Sequence, residues 1–385
     1  MKLLHLGDLH LGKTLGEYDL IEDQRYILEQ ILKIIGDNSA DAVLMSGDIY
    51  DKSIPSEAAT RLLDWFLSSL SEAGVKTFLI SGNHDSDDRL NFGSSLFETN
   101  QIYISSIYDG TLYERVLTDE YGEIHIYLLP FVKASQVRHY FPKEKIESYD
   151  DAVRVIIEHA DIDPSKRNIL AAHQFVAGKG KDPKLAGSEG VSVQSVGLVE
   201  KIGYDHFEAF DYVALGHIHS PQSVGRKNIR YSGSILKYSL SESSDRKSAP
   251  LITLGEKGET DIDLIPLEPL RDLRHITGPA QKLLAGENIE SPEDYIYVTL
   301  TDEDILYDAM QIFRQVYPNT VKIDYDNSHT KEIEQVDLTK IGNHRSFSEL
   351  IGDFYRQMYD REITEEEMTI MRQAAKEAGV IDEAD

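Results

Sequence analysis

The sequence predicts an α/β fold in which a mixed sheet is covered by helices on both faces. Three observations lead to this prediction. Short apolar runs rich in β-branched residues recur as far as residue 265, amphipathic segments separate the first three of them, and the runs after residue 220 follow one another too closely for helical crossovers. We therefore expect a mixed-sheet α/β sandwich whose last strands pair antiparallel.

The individual elements follow from the period of the apolar residues. Strands are predicted at 2–7, 42–46, 75–80, 124–129, 168–172, 212–215, 229–232, 250–254 and 260–265. Helices are predicted at 21–35 and 56–73, where apolar residues recur at helical spacing. Ser56, preceded by Pro55, is a suitable N-terminal cap for the second helix.

A second region begins at 266–294, where prolines and glycines interrupt a polar stretch. The next segments predict a small β-α-β unit, with strands at 295–300 and 320–325 around a helix at 303–316. The chain then ends in helical sequence with capping boxes at 346–349 and 364–367. The expected organisation has three parts: 1–270, 271–340 and 341–385.

The composition limits the class of protein. The chain has 385 residues, 41% of them hydrophobic and 28% charged, which is typical of a globular protein and unlike a disordered one. It contains no cysteine, so disulfides and thiolate metal sites are excluded and a reducing cytoplasm is the expected compartment. No apolar run is long enough to cross a bilayer, and the polar residues after Met1 do not match a signal peptide.

The net charge of −28 argues against a protein that grips nucleic acid by itself, because most of its surface repels polyanions. Two kinds of protein remain compatible with this charge. One is an enzyme whose own cations attract a phosphate group. The other is a subunit whose partner holds the polyanion.

Five short polar motifs each follow one of the predicted strands. They are Asp8-Leu9-His10, Gly47-Asp48-Ile49-Tyr50-Asp51, Gly82-Asn83-His84-Asp85, His173-Gln174 and Gly216-His217-Ile218-His219. In an open α/β sheet, ligands bind at the carboxyl ends of the strands, so five distant segments are expected to meet at one site. The glycines that precede the motifs are expected to let the backbone turn sharply as each strand ends.

The residue types in these motifs suit a pair of divalent cations, because they offer carboxylates, an amide oxygen and imidazoles. Two adjacent cations repel each other unless an anionic ligand lies between them, and Asp48 is our candidate for that bridging carboxylate. Any one motif alone is more often structural: an Asp-x-His pair is common by chance, and a buried histidine is usually a hydrogen-bonded core residue. His5 and His125, within strands, are interpreted in that structural way.

The five motifs in this order resemble the signature of the calcineurin-like metallophosphoesterases, and within them the SbcD-type nuclease subunits. Further stretches carry the likeness: HLGDLHLGK (5–13), GNHDSDDRL (82–90), FDYVALGHIH (210–219), YSGSILKYSLSE (231–242) and PLRDLRHITG (269–278). The resemblance implies a metallophosphoesterase nuclease domain over 1–270, a small α/β capping domain over 271–340, and a C-terminal helical segment over 341–385 that docks on an ATPase partner.

The resemblance also implies roles for individual residues. Asp8, His10, Asp48 and His219 would bind one metal, and Asp48, Asn83, His173 and His217 the second. His84 would face the scissile phosphate as general acid or charge stabiliser, with Asp85 as its orienting partner. Mn²⁺ is the expected metal, although Mg²⁺, Zn²⁺ or Fe²⁺ would also suit these ligands.

The implied activity is dimetal-dependent hydrolysis of DNA, as an exonuclease on double-stranded ends and an endonuclease on hairpin or single-stranded DNA, in DNA repair, recombination and replication. The implied partners are DNA, an SbcC-type SMC-like ATPase and a second copy of this chain, in a heterotetramer without a membrane component. The chain has no Gly-Lys-Ser/Thr phosphate-binding loop, so any ATP dependence must come from another polypeptide. The expected location is the cytoplasm, at the nucleoid.

Candidate phosphate contacts are the basic residues near these motifs, Arg89, Lys179, Lys181 and Lys184. The three lysines lie in a glycine-containing segment, 176–190, which could equally be a solvated loop. Two other classes of function remain open. One is a metallophosphodiesterase or phosphatase that acts on a small molecule or a phosphoprotein, and the other is a scaffold that keeps the fold without catalysis.

Overall fold

The computed structural model describes residues 1–178, 183–184, 201–286, 290–328, 351–352, 355–356 and 361–377. The chain divides into two units. The first comprises Met1–Thr299 with Leu306–Asp324, and the second Leu300–Ile305 with Tyr325–Asp385. Within the described residues, no helix has both the length and the apolar character that crossing a membrane requires.

The bounds of the elements are as follows. The strands are β1 (Lys2–Leu6), β2 (Thr14–Leu15), β3 (Tyr18–Asp19), β4 (Ala42–Ser46), β5 (Lys76–Ile80), β6 (Ile102–Ser105), β7 (Tyr113–Asp119), β8 (Gly122–Leu129), β9 (Arg167–His173), β10 (Val176–Ala177), β11 (Ile202–Gly203), β12 (Tyr212–Gly216), β13 (Gln222–Val224), β14 (Arg226–Tyr231), β15 (Ser248–Leu254), β16 (Thr260–Pro266), β17 (Leu273–Gly278), β18 (Tyr295–Leu300) and β19 (Thr320–Tyr325). The helices are α1 (Ile21–Asn38), α2 (Glu57–Glu72), α3 (Asp87–Asn91), α4 (Ser94–Phe97), α5 (Ala134–Tyr140), α6 (Tyr149–Glu158), α7 (Ala280–Leu283), α8 (Ala309–Arg314) and, as α9, Glu365–Glu377.

The first unit is built on two six-stranded mixed sheets. Their strand orders are β16-β15-β1-β4-β5-β6 and β13-β14-β12-β9-β8-β7. Strands β1, β4, β5 and β6 run parallel, as do β14, β12, β9 and β8, whereas β7, β13, β15 and β16 pair antiparallel at the margins. The expectation of antiparallel pairing after residue 220 is confirmed for β15 with β16 and for β13 with β14, but it is wrong for the pairing of β14 with β12, which is parallel. The chain reverses direction twice between them, because β13 forms a hairpin with β14.

The two sheets pack face to face, with helices on their outer faces. The apolar layer between them contains Leu44 and Phe78 from the first sheet and Ile126 and Ile169 from the second, all fully buried. Helices α1 and α2 cover the outer face of the first sheet, and α6 covers that of the second. Strands buried on both sides need continuous apolar sequence, which is the pattern that these strands have. The predicted sandwich with helices on both faces is confirmed.

Helix α2 illustrates how the sequence places these layers. The Ser56 hydroxyl accepts a hydrogen bond from the backbone N–H of Ala59 at 3.2 Å, so the predicted cap is present. Leu63, Phe66 and Leu70 recur three and four residues apart and are all buried against the first sheet. Burial of these three side chains fixes α2 against the first sheet.

The later part of the chain contains a three-stranded sheet of order β17-β18-β19. The helix predicted at 303–316 is shorter in the structure, where α8 spans only Ala309–Arg314. Asp308, which precedes it, has a φ of 53°, and this left-handed conformation prevents an α-helix from extending upstream.

In the second unit, the backbone N–H of Asp326 bonds to the carbonyl of Leu300 at 2.8 Å. The predicted capping box of α9 is present, because the Thr364 N–H donates to the Glu367 carboxylate at 2.9 Å and the Glu367 N–H donates back to the Thr364 hydroxyl at 3.3 Å. The capping box predicted at 346–349 lies outside the described residues.

Candidate metal centre

The five predicted motifs meet at the carboxyl ends of parallel strands from both sheets. Asp8 and His10 follow β1, Asp48 follows β4 and Asn83, His84 and Asp85 follow β5, all in the first sheet; His173 ends β9, and His217 and His219 follow β12, in the second. The site therefore lies along the seam where the two sheets face each other. The strand ends of an α/β sheet are the expected place for ligands.

One part of the cluster consists of Asp8, His10 and His219, all buried, whose potential ligand atoms lie within 4.8 Å of one another. The Nε2 atoms of His10 and His219 are 3.0 Å apart. One oxygen of Asp8, Oδ1, accepts the backbone N–H of His217 at 2.8 Å. These three side chains thus converge on a common point.

The other part consists of Asp48, Asn83, His173 and His217. The Asn83 Oδ1 atom lies 3.1 Å from Nε2 of His173 and 2.9 Å from Nδ1 of His217. The Asp48 Oδ2 atom lies 3.3 Å from Nε2 of His173 and 3.5 Å from Nε2 of His10, so it stands between the two parts of the cluster. This is the position that a bridging carboxylate requires.

Two properties of the cluster fit divalent cations: the chemical type of its ligand atoms, and the lack of a hydrogen-bond partner for two of them. Among the described residues, Oδ2 of Asp8 and Nδ1 of His10 are buried without a hydrogen-bond partner. A buried polar atom without a partner is rare in folded proteins and calls for an explanation such as an ion. Carboxylate and amide oxygens together with imidazole nitrogens suit Mn²⁺, Fe²⁺ or Zn²⁺. A pair of divalent cations therefore accounts for both the donors and the missing partner of Asp8.

Asp48 and His173 shift each other's pKa in opposite directions. Burial alone would raise the pKa of Asp48, but the neighbouring His173 and His10 hold it well below its ordinary value. Burial alone would lower the pKa of His173, but the charge and hydrogen bond of Asp48 raise it to about 9. A divalent cation would compete with a proton for His173, because an imidazole must be deprotonated to bind metal.

The backbone at the site is held in a conformation that non-glycine residues seldom adopt. Asp8, His10 and Asp48 have φ angles of 50°, 44° and 49°, and His217 has 105°. Such conformations cost about 1–3 kcal/mol each and persist only where the surrounding structure enforces them, typically at functional sites. The strain turns each side chain out of its strand and into the cluster.

The glycines before the motifs serve two purposes. Gly47 has a φ of 83°, so it provides the sharp turn that the sequence predicted. Gly7, Gly82 and Gly216 have no positive φ, so the turn expected of a left-handed glycine is wrong at these three positions. A methyl group on Gly216 would collide with the carbonyl oxygen of Ser46, so this glycine allows β12 of one sheet to approach β4 of the other.

His84 lies at the partly exposed edge of the cluster, its ring 4.9 Å from that of His10. The Asp85 carboxylate does not orient it as expected. Its two oxygens accept the backbone N–H groups of Ile49, Tyr50 and Gly82 at 2.9–3.0 Å, which ties the exits of β4 and β5 together. Nδ1 of His84 instead lies 3.1 Å from the carbonyl oxygen of Asp51, which takes the expected role of Asp85.

Several residues behind the cluster were not predicted. The carbonyl of Ser46 accepts Nδ1–H of His173 at 2.8 Å, and the Glu242 carboxylate lies 3.3 Å from Nδ1 of His219. Gln24 donates to the carbonyl of His10 at 2.8 Å. Glu242 lies in the quoted stretch 231–242, but no sequence spacing connects it to His219, so this contact depends on tertiary structure.

The predicted DNA contacts are only partly described. Arg89 is exposed on α3, and Lys184 is exposed with its ammonium 3.1 Å from Asp245. Lys179 and Lys181 lie outside the described residues. A role of these residues in DNA binding stays a prediction.

Known proteins resemble this chain over most of its length. Residues 1–221 match the calcineurin-like phosphoesterase family, and residues 269–359 match the domain described as the Type 5 capsule protein repressor C-terminal domain, SbcD_C. A relative from Staphylococcus epidermidis, the SbcD subunit of the nuclease SbcCD, is 34% identical over 95% of this chain and 95% of its own. A dimetal phosphatase from Danio rerio aligns structurally with 70% of this chain and 99% of its own, at 11% identity and a TM-score of 0.37.

The family match covers more than half of the chain, and the relative matches nearly all of it. The resemblance predicted from the motifs is confirmed: this chain belongs to the calcineurin-like phosphoesterases and, within them, to the family of SbcD-type nuclease subunits.

Proposed function

We propose that this chain is the nuclease subunit of an ATPase–nuclease complex and that it hydrolyses phosphodiester bonds in DNA. The observation that carries the proposal is the convergence of carboxylate, amide and imidazole donors from five strands on one cluster with a buried, unpartnered carboxylate oxygen. The name of the Staphylococcus relative supports a nucleic-acid substrate. We infer exonuclease action on double-stranded ends and endonuclease action on hairpin or single-stranded DNA, in DNA repair, recombination and replication.

The proposed ligand sets follow the two parts of the cluster. Asp8, His10, Asp48 and His219 would hold one cation, and Asp48, Asn83, His173 and His217 the other. Such a cation pair supplies Lewis-acid polarisation of the phosphoryl oxygens and activation of water near neutral pH. The protein contributes the fixed positions of the ligand atoms and a buried environment that strengthens their electrostatic interaction with the cations. We propose Mn²⁺ as the metal.

His84 is the proposed catalytic residue. It is the partly exposed imidazole of the cluster, and the carbonyl of Asp51 holds its Nδ1–H, which leaves Nε2 free to protonate the leaving sugar oxygen. An imidazole can give up a proton from one nitrogen while its other nitrogen stays hydrogen-bonded, which suits it to general acid catalysis. Asp85 acts indirectly, because it braces the loop from which His84 projects.

The partner is proposed to be an SbcC-type SMC-like ATPase. A net charge of −28 leaves this chain poorly suited to bind DNA alone, because both are negatively charged. A partner that binds the DNA is consistent with this charge. We assign the nuclease domain to 1–270, the capping domain to 271–340 and the docking segment to 341–385. Helix α9 in the docking segment exposes Ile370, an apolar side chain available for a partner. The complex would act on chromosomal DNA in the cytoplasm.

A homodimer within a heterotetramer is also proposed. The helices after β5 expose Phe92 and Leu96 at 84% and 73% of their surfaces. Phe92 also lines an open groove of about 430 Å³ together with Leu63 and Leu67 of α2. Large apolar side chains exposed this far are typical of a protein–protein interface.

Incubation of the purified chain with Mn²⁺ and linear double-stranded DNA, with and without an SbcC-type ATPase, tests the function. A cyclic nucleotide and a small phosphate diester serve as parallel substrates, and Asp48→Ala as the inactive control. We expect DNA cleavage that the ATPase stimulates. Turnover of the small substrates without any cleavage of DNA in either condition would favour the alternative phosphodiesterase or phosphatase, and no turnover at all would favour a scaffold.

A further inference from the structure

A buried carboxylate lies directly behind the candidate metal ligand His219. Glu242 is fully buried, and its Oε1 atom lies 3.3 Å from Nδ1 of His219. Its other oxygen, Oε2, pairs with the Lys247 ammonium at 2.6 Å and lies 3.0 Å from the Ser234 hydroxyl, which also lies 2.7 Å from the carbonyl of Leu236. Both oxygens of the carboxylate are therefore fixed in place.

Lys247 holds the carboxylate and the histidine together. Its ammonium has three hydrogen-bond donors. They reach Oε2 of Glu242 at 2.6 Å, the Ser234 hydroxyl at 2.8 Å and the backbone carbonyl of His219 at 2.9 Å. His219 is thus held at its side chain by Glu242 and at its backbone by Lys247.

This arrangement determines which nitrogen of His219 faces the cluster. When Nδ1 carries the proton that points to Glu242, Nε2 is left with its lone pair. That Nε2 atom lies 3.0 Å from Nε2 of His10, on the side where the ligand atoms of Asp8 also lie. The carboxylate contact therefore presents the metal-binding nitrogen of His219 to the site.

A purely structural role explains the pair less well. Replacing a buried ion pair by apolar side chains of similar volume is often neutral or stabilising, so fold stability alone gives little reason to bury Glu242 and Lys247. Burial of the pair is explained if its charge and hydrogen bonds orient the candidate metal ligand His219. Outer-shell carboxylates of this kind raise the basicity of a metal-binding histidine as well as fixing its ring.

We propose that Glu242 is a positioning residue that orients His219 for metal binding, with Lys247 and Ser234 holding Glu242 in place. The inference rests on the proposed function, because it takes His219 as a ligand of one of the two cations. It adds a residue that lies outside the predicted ligand sets.

The test is the binding of Mn²⁺ to the full metal-free chain, followed by the electron paramagnetic resonance signal of free Mn²⁺. In Glu242→Gln we expect one of two Mn²⁺ affinities to fall by about 10- to 100-fold, while the other stays within about threefold of wild type. Asp119→Asn is the matched control, because it removes one charge from another largely buried ion pair, with Arg167, on β7. It should leave both affinities unchanged.

The melting temperature of each metal-free variant separates positioning from folding. Unchanged affinities in Glu242→Gln overturn the inference, as does an equal loss in Asp119→Asn at a similar melting temperature. If Glu242→Gln does not fold, Ser234→Ala decides, with a smaller fall at the same site expected and no fall overturning the inference. A wild-type chain that binds no Mn²⁺ refutes the proposed function itself, whereas two Mn²⁺ bound equally by wild type and variants refutes only the role of Glu242.

Discussion

Polar clusters lie at both ends of the same parallel strands, and they are built differently. At the amino ends, the Asp119 carboxylate binds the Met1 ammonium at 3.0 Å and Arg167 at 2.5 Å, and Arg167 also donates to the carbonyls of Gly122 and Gly255 at 2.8 and 2.9 Å. At the carboxyl ends, Oδ2 of Asp8 is buried without a partner, and two imidazole nitrogens face each other across 3.0 Å.

The difference separates stabilisation from function. At the amino ends each charge has a partner of opposite sign within the chain, so the cluster completes the fold. At the carboxyl ends, Oδ2 of Asp8 and Nδ1 of His10 are buried without a hydrogen-bond partner, and strained backbone holds the cluster together. Groups whose mutual arrangement is unfavourable without a ligand indicate a binding site.

The largest effect is expected for Asp48→Ala, because Asp48 stands between the two parts of the cluster. We expect loss of both bound Mn²⁺ ions and of all measurable phosphodiester turnover. Elemental analysis and a nuclease assay measure the two effects, with Asp119→Ala at the other end as the control that keeps its metal. Two Mn²⁺ ions per chain in Asp48→Ala would contradict the assignment of Asp48 as the bridging ligand.

His84→Ala should lower kcat by about 10²- to 10⁴-fold, the range that a general acid contributes. Both Mn²⁺ ions should remain bound, because His84 lies at the edge of the cluster with its Nδ1 on a backbone carbonyl. Single-turnover kinetics and metal analysis measure this, with the exposed His275→Ala as control. Wild-type turnover in His84→Ala would show that the assignment is wrong.

Arg167→Ala should affect stability and spare the metal centre. Its side chain is only 5% exposed, and removal leaves the largely buried Asp119 without its main partner. We expect a loss of about 3 kcal/mol in the free energy of unfolding, measured by urea denaturation. Mn²⁺ affinity should not change, and a large fall in affinity would mean that the two ends are not independent.

Added Mn²⁺ should stabilise the folded chain only by binding to the cluster at the carboxyl ends of the parallel strands. At a free Mn²⁺ concentration 100 times the dissociation constant, each site should add about 2.7 kcal/mol to the free energy of unfolding. Thermal scans with Mn²⁺ and after chelation measure the shift. Asp48→Ala should show no shift in melting temperature. Arg167→Ala should show the same shift as wild type, although its melting temperature without metal is lower.

His5 lies between the sheets and should make the folded chain less stable in acid, at pH values between about 6.5 and about 3. It contacts Tyr212 at 2.9 Å and Ser46 at 3.1 Å, and burial, followed by the charge of Arg230, lowers its pKa to about 3. Below its ordinary pKa of about 6.5 the unfolded chain takes up a proton that the folded chain does not, so stability falls as the pH falls.

The size of this effect is about 1.4 kcal/mol per pH unit between pH 6.5 and pH 4. In His5→Gln that contribution should be absent, and the stability of the metal-free chain should depend less steeply on pH. Urea titrations at several pH values measure the slope, with His275→Gln as control. Equal slopes in wild type and His5→Gln would mean that His5 is protonated in the folded state.

Some elements were predictable from sequence and others were not. Strands such as β4 and β9 were predicted because both of their faces are apolar. Strand β7 was missed because its pattern YERVLTD is polar and mostly exposed at the sheet margin. The helix at 303–316 was predicted too long, since the spacing of apolar residues does not reveal the left-handed backbone of Asp308. The parallel pairing of β14 depends on a hairpin that the sequence does not specify.

The chemistry that the protein carries is encoded in short local motifs. Each of the five motifs is local, and its residue types and its place after an apolar run are visible without coordinates. The packing of two separate sheets, which joins their strand ends into one site, is a feature of the tertiary structure that no local motif predicts. It also placed Asp51 rather than Asp85 behind His84, and Glu242 behind His219. These contacts join residues far apart in the chain, and burial of apolar faces, not any local pattern, brings such residues together.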